Sequence, residues 1–247
     1  MAYLTAGDPA PSRTVELALA LERGGADVIE LGVPFSDPIA DGPVIQRASD
    51  RALRAGTTLE HVLDIASEIR AKSEIPLVLF SYLNPLMRYG FSRLSDEAAK
   101  RGIDGVLLTD LSVEEAPELV KVLRARNLDC VFLAAPTSTD RRLNLIAQYS
   151  SGFVYVVSRT GVTGERDSVA QSVEPLVKRL RQHTELPLAV GFGVSRREHF
   201  SEIGRYANAV VVGSAFVRLI EEHAGEADLE QQVERLAAQL TGGVTAP

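Results

Sequence analysis

Glu30 interrupts the apolar run Val28-Ile29-Glu30-Leu31, a stretch that otherwise reads as a buried strand. A carboxylate in such a place must be paired, or kept neutral by a raised pKa, and the second condition makes a general acid/base. The plainer alternative is a glutamate on the outer face of the strand, bonded to a neighbouring loop. The loop that follows, Glu30-Leu31-Gly32-Val33-Pro34-Phe35-Ser36-Asp37-Pro38-Ile39-Ala40-Asp41-Gly42-Pro43, is long and rich in proline and glycine. Loops of that length inside a compact chain are usually functional or mobile. It carries a second candidate, Asp41, although aspartate before glycine is also ordinary turn chemistry.

Two further loops, Gly191-Phe192-Gly193-Val194-Ser195 and Gly213-Ser214-Ala215, place small residues just before predicted helices. Exposed N–H groups at a positive helix end suit a phosphate, while tight turns without a ligand are the alternative. Ser158–Asp167 combines small hinge residues with mixed charge, which fits a lid or simply an exposed loop. His61, His183, His199 and His223 fall in helical segments or at their ends, and no lysine stands late on a strand. Histidine bases and Schiff-base chemistry are therefore disfavoured, and carboxylates are left to transfer protons.

The elements that must hold these residues alternate regularly. Short β-branched runs occur at Ala2–Thr5, Val28–Leu31, Pro76–Ser81, Gly105–Thr109, Cys130–Ala134, Phe153–Val157, Pro187–Val190 and Ala209–Val212. Most are continuously apolar, as expected for parallel strands covered on both faces. Helical patterns lie between them, at Thr14–Arg23, Leu59–Lys72, Arg93–Arg101, Val113–Arg126, Arg141–Gln148, Ser172–His183, Arg196–Arg205, Ala215–His223 and Leu229–Leu240. Eight strand–helix repeats without a linker predict one α/β domain over residues 1–247, an eight-stranded (β/α)8 TIM barrel. Gly7-Asp8-Pro9 stands where a dinucleotide-binding sheet would carry GxGxxG. In a barrel the chemistry belongs at the C-terminal strand ends, where the loops above fall.

Composition narrows the classes. With 45% apolar and 24% charged residues, the chain reads as an ordinary globular protein. No apolar stretch is long enough for a membrane span, and the formal net charge of −7 disfavours non-specific nucleic-acid or lipid binding. The single Cys130 excludes an internal disulfide framework, points to a reducing cytoplasm, and has no neighbouring ligands for zinc.

The string ELGVPFSDPIADGP at Glu30–Pro43 resembles the signature of the tryptophan synthase alpha subunit family. TAGDP (Thr5–Pro9), NPLMRYGF (Asn84–Phe91), APTSTDRR (Ala135–Arg142), FVYVVSRTGVTG (Phe153–Gly164), VGFGV (Val190–Val194) and VVVGSA (Val210–Ala215) follow in the family's order. The resemblance implies reversible retro-aldol cleavage of indole-3-glycerol phosphate to indole and glyceraldehyde 3-phosphate. It gives Glu30 the role of general acid/base and Asp41 that of stabilising charge on the indole ring. It places Tyr82, Leu107 and Tyr155 in the indole pocket, phosphate contacts at Gly164, Gly193, Gly213 and Ser214, and Thr163 against Asp41 when a lid closes. Asp37 and Pro38 would face a beta subunit in an alpha2beta2 heterotetramer. That partner would carry pyridoxal phosphate and receive indole, while the alpha chain would need no cofactor and no metal.

Two departures stand out. Thr109-Asp110-Leu111-Ser112 replaces the usual PDLP, and Met1-Ala2-Tyr3 opens directly on the TAGDP strand, where members usually have a preceding cover helix. The expectation is reduced stability or an altered barrel floor with the catalytic residues kept, and a flexible tail at 241–247. A stand-alone lyase releasing free indole, or a barrel serving mainly as an allosteric activator, are the alternatives.

Overall fold

A computed structural model describes residues 1–157, 170–191 and 197–242, without the side chains of 170–172 and 199. The apolar runs form parallel strands: β1 (Ala2–Thr5), β2 (Ile29–Gly32), β3 (Leu77–Ser81), β4 (Gly105–Leu108), β5 (Asp129–Val131), β6 (Leu133–Ala134), β7 (Val154–Val157), β8 (Leu188–Gly191) and β9 (Ala209–Val210). They pair in chain order as β1–β5 and β6–β9. The expected strand Cys130–Ala134 is thus interrupted at Phe132, and β5 and β6 are its two halves. The Phe132 carbonyl accepts from Tyr155 N–H at 3.0 Å, which carries the pairing across the break. At the other seam Tyr3 N–H donates to Val212 O at 2.9 Å, and Val212 N–H donates to Met1 O at 3.1 Å. Eight staves therefore close into a barrel.

Alternation along each strand splits the core in two. Ala2, Leu4, Ile29, Leu31, Leu77, Leu79, Val154 and Val156 pack outward beneath the helices. Tyr3, Val78, Phe80, Leu107, Val131, Tyr155, Ala189 and Val211 form a separate cluster inside the barrel. Both strand faces are buried, which is why the runs lack a polar alternation.

The helices are α1 (Pro11–Arg23), α2 (Pro43–Arg54), α3 (Leu59–Arg70), α4 (Leu83–Tyr89), α5 (Phe91–Lys100), α6 (Pro117–Arg124), α7 (Asp140–Tyr149), α8 (Ala170–Leu180), α9 (Arg197–Ile203), α10 (Ser214–Glu222) and α11 (Leu229–Thr241). The expected helix Val113–Arg126 is instead a 3-10 turn, Val113–Glu115, followed by α6. Pro117 has no N–H to continue a helix and starts a new one at its first position. α2 and α4 lie in stretches for which no element is predicted. Each carries proline near its start, Pro43 in α2 and Pro85 in α4, and α2 packs Val44, Ile45 and Ala48 toward the inner cluster. Gly242 closes α11 with a left-handed conformation, and residues 243–247 lie outside the described residues.

Two inward-facing glycines make room for tyrosine hydroxyls. A Cβ on Gly32 would lie 2.2 Å from Tyr3 Oη, and one on Gly191 would lie 1.9 Å from Tyr155 Oη. Overpacking of this kind costs about 1–3 kcal/mol. Gly191→Ala is expected to lower stability by that amount in urea denaturation. Gly225→Ala, where a Cβ meets nothing within 4 Å, is expected to stay within about 0.5 kcal/mol of wild type.

Candidate active site

β2 fixes the direction of Glu30. Its neighbours Ile29 and Leu31 point to the helix layer, so Glu30 points inward. There it is level with Tyr3 of β1 and Val78 of β3. It lies two residues before the strand's end at Gly32, a layer below the mouth rather than at its rim. The outer-face alternative is thereby removed.

Glu30 is 1% exposed. Neither carboxyl oxygen has a hydrogen-bond partner among the described residues. Burial raises its pKa to about 8, partly offset by the positive charge of the Met1 amino group. At neutral pH Glu30 is therefore mostly a carboxylic acid, a proton donor held in a dry interior.

Asp41 arrives by a different route. In the loop after β2, Ile39 N–H donates to Asp37 O at 2.9 Å and Asp41 N–H donates to Pro38 O at 3.0 Å. The turn is made by backbone, so the aspartate side chain is free for another task. It is 4% exposed, and Tyr82 Oη donates to Asp41 Oδ2 at 2.9 Å. Tyr82 Oη in turn accepts from Ala40 N–H at 2.9 Å. Burial lifts the Asp41 pKa to about 6, and the tyrosine hydrogen bond restrains that rise. Above pH 6 Asp41 is thus mainly ionised while Glu30 still holds its proton. Two carboxyl groups whose environments separate their pKa values are the ordinary physical basis for dividing acid and electrostatic roles.

Around them stand three tyrosines. Tyr82 packs its ring 5.2 Å from that of Phe35, so its body is apolar as expected while its hydroxyl holds Asp41. Tyr155 faces inward from β7, and burial with the nearby Glu30 and Asp41 charges holds its hydroxyl firmly protonated. Tyr3, which the residue patterns did not single out, behaves alike. Its hydroxyl lies 3.2 Å from Thr5 Oγ1, and its ring meets Phe80 edge-on at 5.1 Å. A tyrosine in register with Glu30 inside an apolar strand is the signal that could have found it. Leu107 is fully buried in the same cluster. Asp110, kept in the altered TDLS segment, accepts from Leu83 N–H at 2.7 Å, which anchors the chain just after Tyr82.

Gly213 caps α10 and Ser214 is its first residue, so the unpaired first-turn amides of a nine-residue helix open there. A Cβ on Gly213 would lie 3.4 Å from Tyr3 Cβ, placing this helix end against the tyrosine beside Glu30. Thr163, Gly164 and Gly193 lie outside the described residues. Asp37 is exposed and Pro38 half-buried on the turn that also presents Ile39, 80% exposed. Of the histidines, His61 caps α3 and His223 pairs with Glu226, away from the carboxylates. Among the described residues no group of His, Cys, Asp and Glu could hold a metal ion, and no helix is long and apolar enough to cross a membrane.

The raised Glu30 pKa has a stability consequence. Between its ordinary value of 4.5 and about 8, the folded chain keeps a proton that the unfolded chain releases, so stability falls as pH rises. Relative to Glu30→Gln, the wild type is expected to lose about 3 kcal/mol between pH 5.5 and pH 8.5 in denaturant titrations. Parallel pH dependences for the two proteins would show that Glu30 ionises normally.

The tryptophan synthase alpha chain family profile matches residues 1–245. The chain is 63% identical over 246 residues to the tryptophan synthase alpha chain of Solibacter usitatus, covering 100% of this chain and 92% of that one. It is 46% identical over 242 residues to that of Methanopyrus kandleri, covering 98% and 87%. Among solved structures it resembles the tryptophan synthase α2β2 complex of Pyrococcus furiosus, with a TM-score of 0.91, 42% identity and coverage of 98% and 96%. The alpha subunit of Legionella pneumophila gives 0.86, 36%, and coverage of 98% and 90%.

Proposed function

The chain belongs to the tryptophan synthase alpha chain family, and on that premise we propose that Glu30 and Asp41 carry its reaction, the cleavage of indole-3-glycerol phosphate. The observation that supports this reading most is the pair of buried carboxyl groups with separated pKa values, about 8 for Glu30 and about 6 for Asp41.

The protons balance with these two residues alone. Protonated Glu30 donates to C3 of the indole ring, and the ring nitrogen becomes cationic. Ionised Asp41 sits close to that developing charge and stabilises it in a site where water does not screen the attraction. Glu30, now a carboxylate, accepts the proton of the glycerol hydroxyl on the carbon attached to the ring. As that oxygen becomes the aldehyde oxygen, the carbon–carbon bond breaks and its electrons return to the ring nitrogen. Indole and glyceraldehyde 3-phosphate leave, and Glu30 is again an acid. No electron sink beyond the indole is required, so the chain needs no cofactor, and pyridoxal phosphate belongs to the beta subunit.

Tyr82 holds Asp41 at its carboxylate, and Tyr3, Leu107 and Tyr155 shape the ring pocket. Gly213 and Ser214 offer α10's first-turn amides to the phosphate, with Gly164, Gly193 and Thr163 assigned to the same end and to the lid. The chain works as the alpha subunit of an alpha2beta2 heterotetramer, passing indole to the beta subunit. The exposed Ile39 and Met87, on segments tied together by the Ala40–Tyr82 hydrogen bond, suit that contact beside Asp37 and Pro38.

Glu30→Gln is expected to lower kcat by about 10²- to 10⁴-fold, the usual worth of a positioned acid/base. Asp41→Asn should lose less while keeping the same products. In the wild type, kcat/KM should rise with Asp41 ionisation near pH 6 and fall with Glu30 deprotonation near pH 8. A flat profile across that alkaline limb would remove Glu30 as the acid. Indole release by the isolated chain should be strongly stimulated by a beta subunit, whereas an unchanged rate would mark a stand-alone lyase.

A further inference from the structure

Four charged side chains outside the carboxylate pair form one cluster. Asp8, in the loop after β1, is 2% exposed and takes a two-pronged hydrogen bond from Arg51 of α2, at 2.7 and 2.9 Å. Arg51 also donates to Glu221 of α10 at 2.6 Å. Glu221 takes a second two-pronged bond from Arg47 of α2, at 2.7 Å for each contact. The cluster therefore ties α2 and α10 to each other and to the first strand's loop.

In the reading of the site given above, these two helices start at the two ends of the substrate. Asp41 stands directly before Gly42, the cap of α2, and the phosphate end lies at Gly213 and Ser214, where α10 begins. At 1.5 Å per residue, Arg51 sits about 12 Å along α2 and Glu221 about 10 Å along α10. The clamp thus joins two rigid rods at nearly equal distances from their working ends. Between the two helices the two-pronged pair is Arg47–Glu221, with Arg51–Glu221 as a single further contact, and a bidentate guanidinium–carboxylate pair fixes orientation as well as distance.

We propose that Arg51 and Glu221 are positioning residues that set the spacing between the ring-charge carboxylate and the phosphate cradle, so that one substrate spans both. This rests on the reading of the site given above. Its signature is a loss confined to the linked substrate. Holding two ends of one molecule in register converts two weak interactions into one strong one, and that gain vanishes when the spacing drifts.

The test uses the chain with a beta subunit and compares wild type, Glu221→Ala and Arg51→Met. Glu221→Ala leaves the buried Asp8–Arg51 pair intact, which keeps the comparison sound if Arg51→Met fails to fold. For indole-3-glycerol phosphate, Glu221→Ala should lower kcat/KM by about tenfold or more, chiefly through KM. Binding of inorganic phosphate alone and of indole alone, measured by calorimetry, should change by less than about twofold. Fragment affinities that fall as far as kcat/KM would show local damage to the subsites and overturn the proposal. So would a Glu221→Ala protein that matches wild type on the full substrate while the wild type cleaves it. A wild type that does not cleave the substrate would sink the reading of the site itself, and this proposal with it.

Discussion

An unpartnered carboxylic acid inside a β-barrel is costly, and the surrounding structure is arranged around that cost. Glu30 has no hydrogen-bond partner among the described residues, and the Met1 amino group offsets its burial only in part, so it stays in the interior by keeping its proton. Given a close arginine it would be an ordinary anion and could no longer donate. Inside the closed ring of strands it is almost fully buried. The inward glycines at positions 32 and 191 let tyrosine rings fill the space beside it without steric clash.

Asp41 shows the complementary solution. It is also buried, yet one tyrosine hydrogen bond keeps its pKa near 6, low enough for it to be an anion when Glu30 is still an acid. The difference comes from environment alone, since both groups are carboxyls. One is fixed by a strand in the middle of the barrel, and the other by a loop whose tip is pinned through Tyr82. The loop's far side continues into α2, which the Asp8–Arg51–Glu221–Arg47 cluster braces against α10. Placement of the acid is thus a property of the sheet, and placement of the anion a property of the loop that Tyr82 pins and of the helix that follows it.

Much of this was legible in the residues. Eight apolar runs marked the staves because parallel strands are buried on both faces, and Glu30 stood out as the single charge in such a run. Periodicity did not show that strand 5 breaks at Phe132, because the residues on both sides remain apolar. α2 and α4 were not predicted either: α4 is only seven residues long, and α2 begins directly at Pro43, where the long loop ends. Asp41 was ambiguous for a definite reason: Asp-Gly favours turns, and only the fold shows that backbone groups make this turn and leave the carboxylate to Tyr82. Tyr3 carries no local signal, since tyrosine is common in strands and its meaning depends on being in register with Glu30. The Arg51–Glu221 contact joins residues 170 apart in sequence, beyond the reach of any local pattern.

The protonation state of Glu30 in the folded chain is the claim on which the rest stands. Carbon-13 labelling of the glutamate carboxyls, with Glu30→Gln to assign the signal, reports that state directly as a function of pH. A midpoint near 8 is expected. A midpoint in the ordinary range of about 4.3 for glutamate would make Glu30 an anion at neutral pH and contradict its role as the acid.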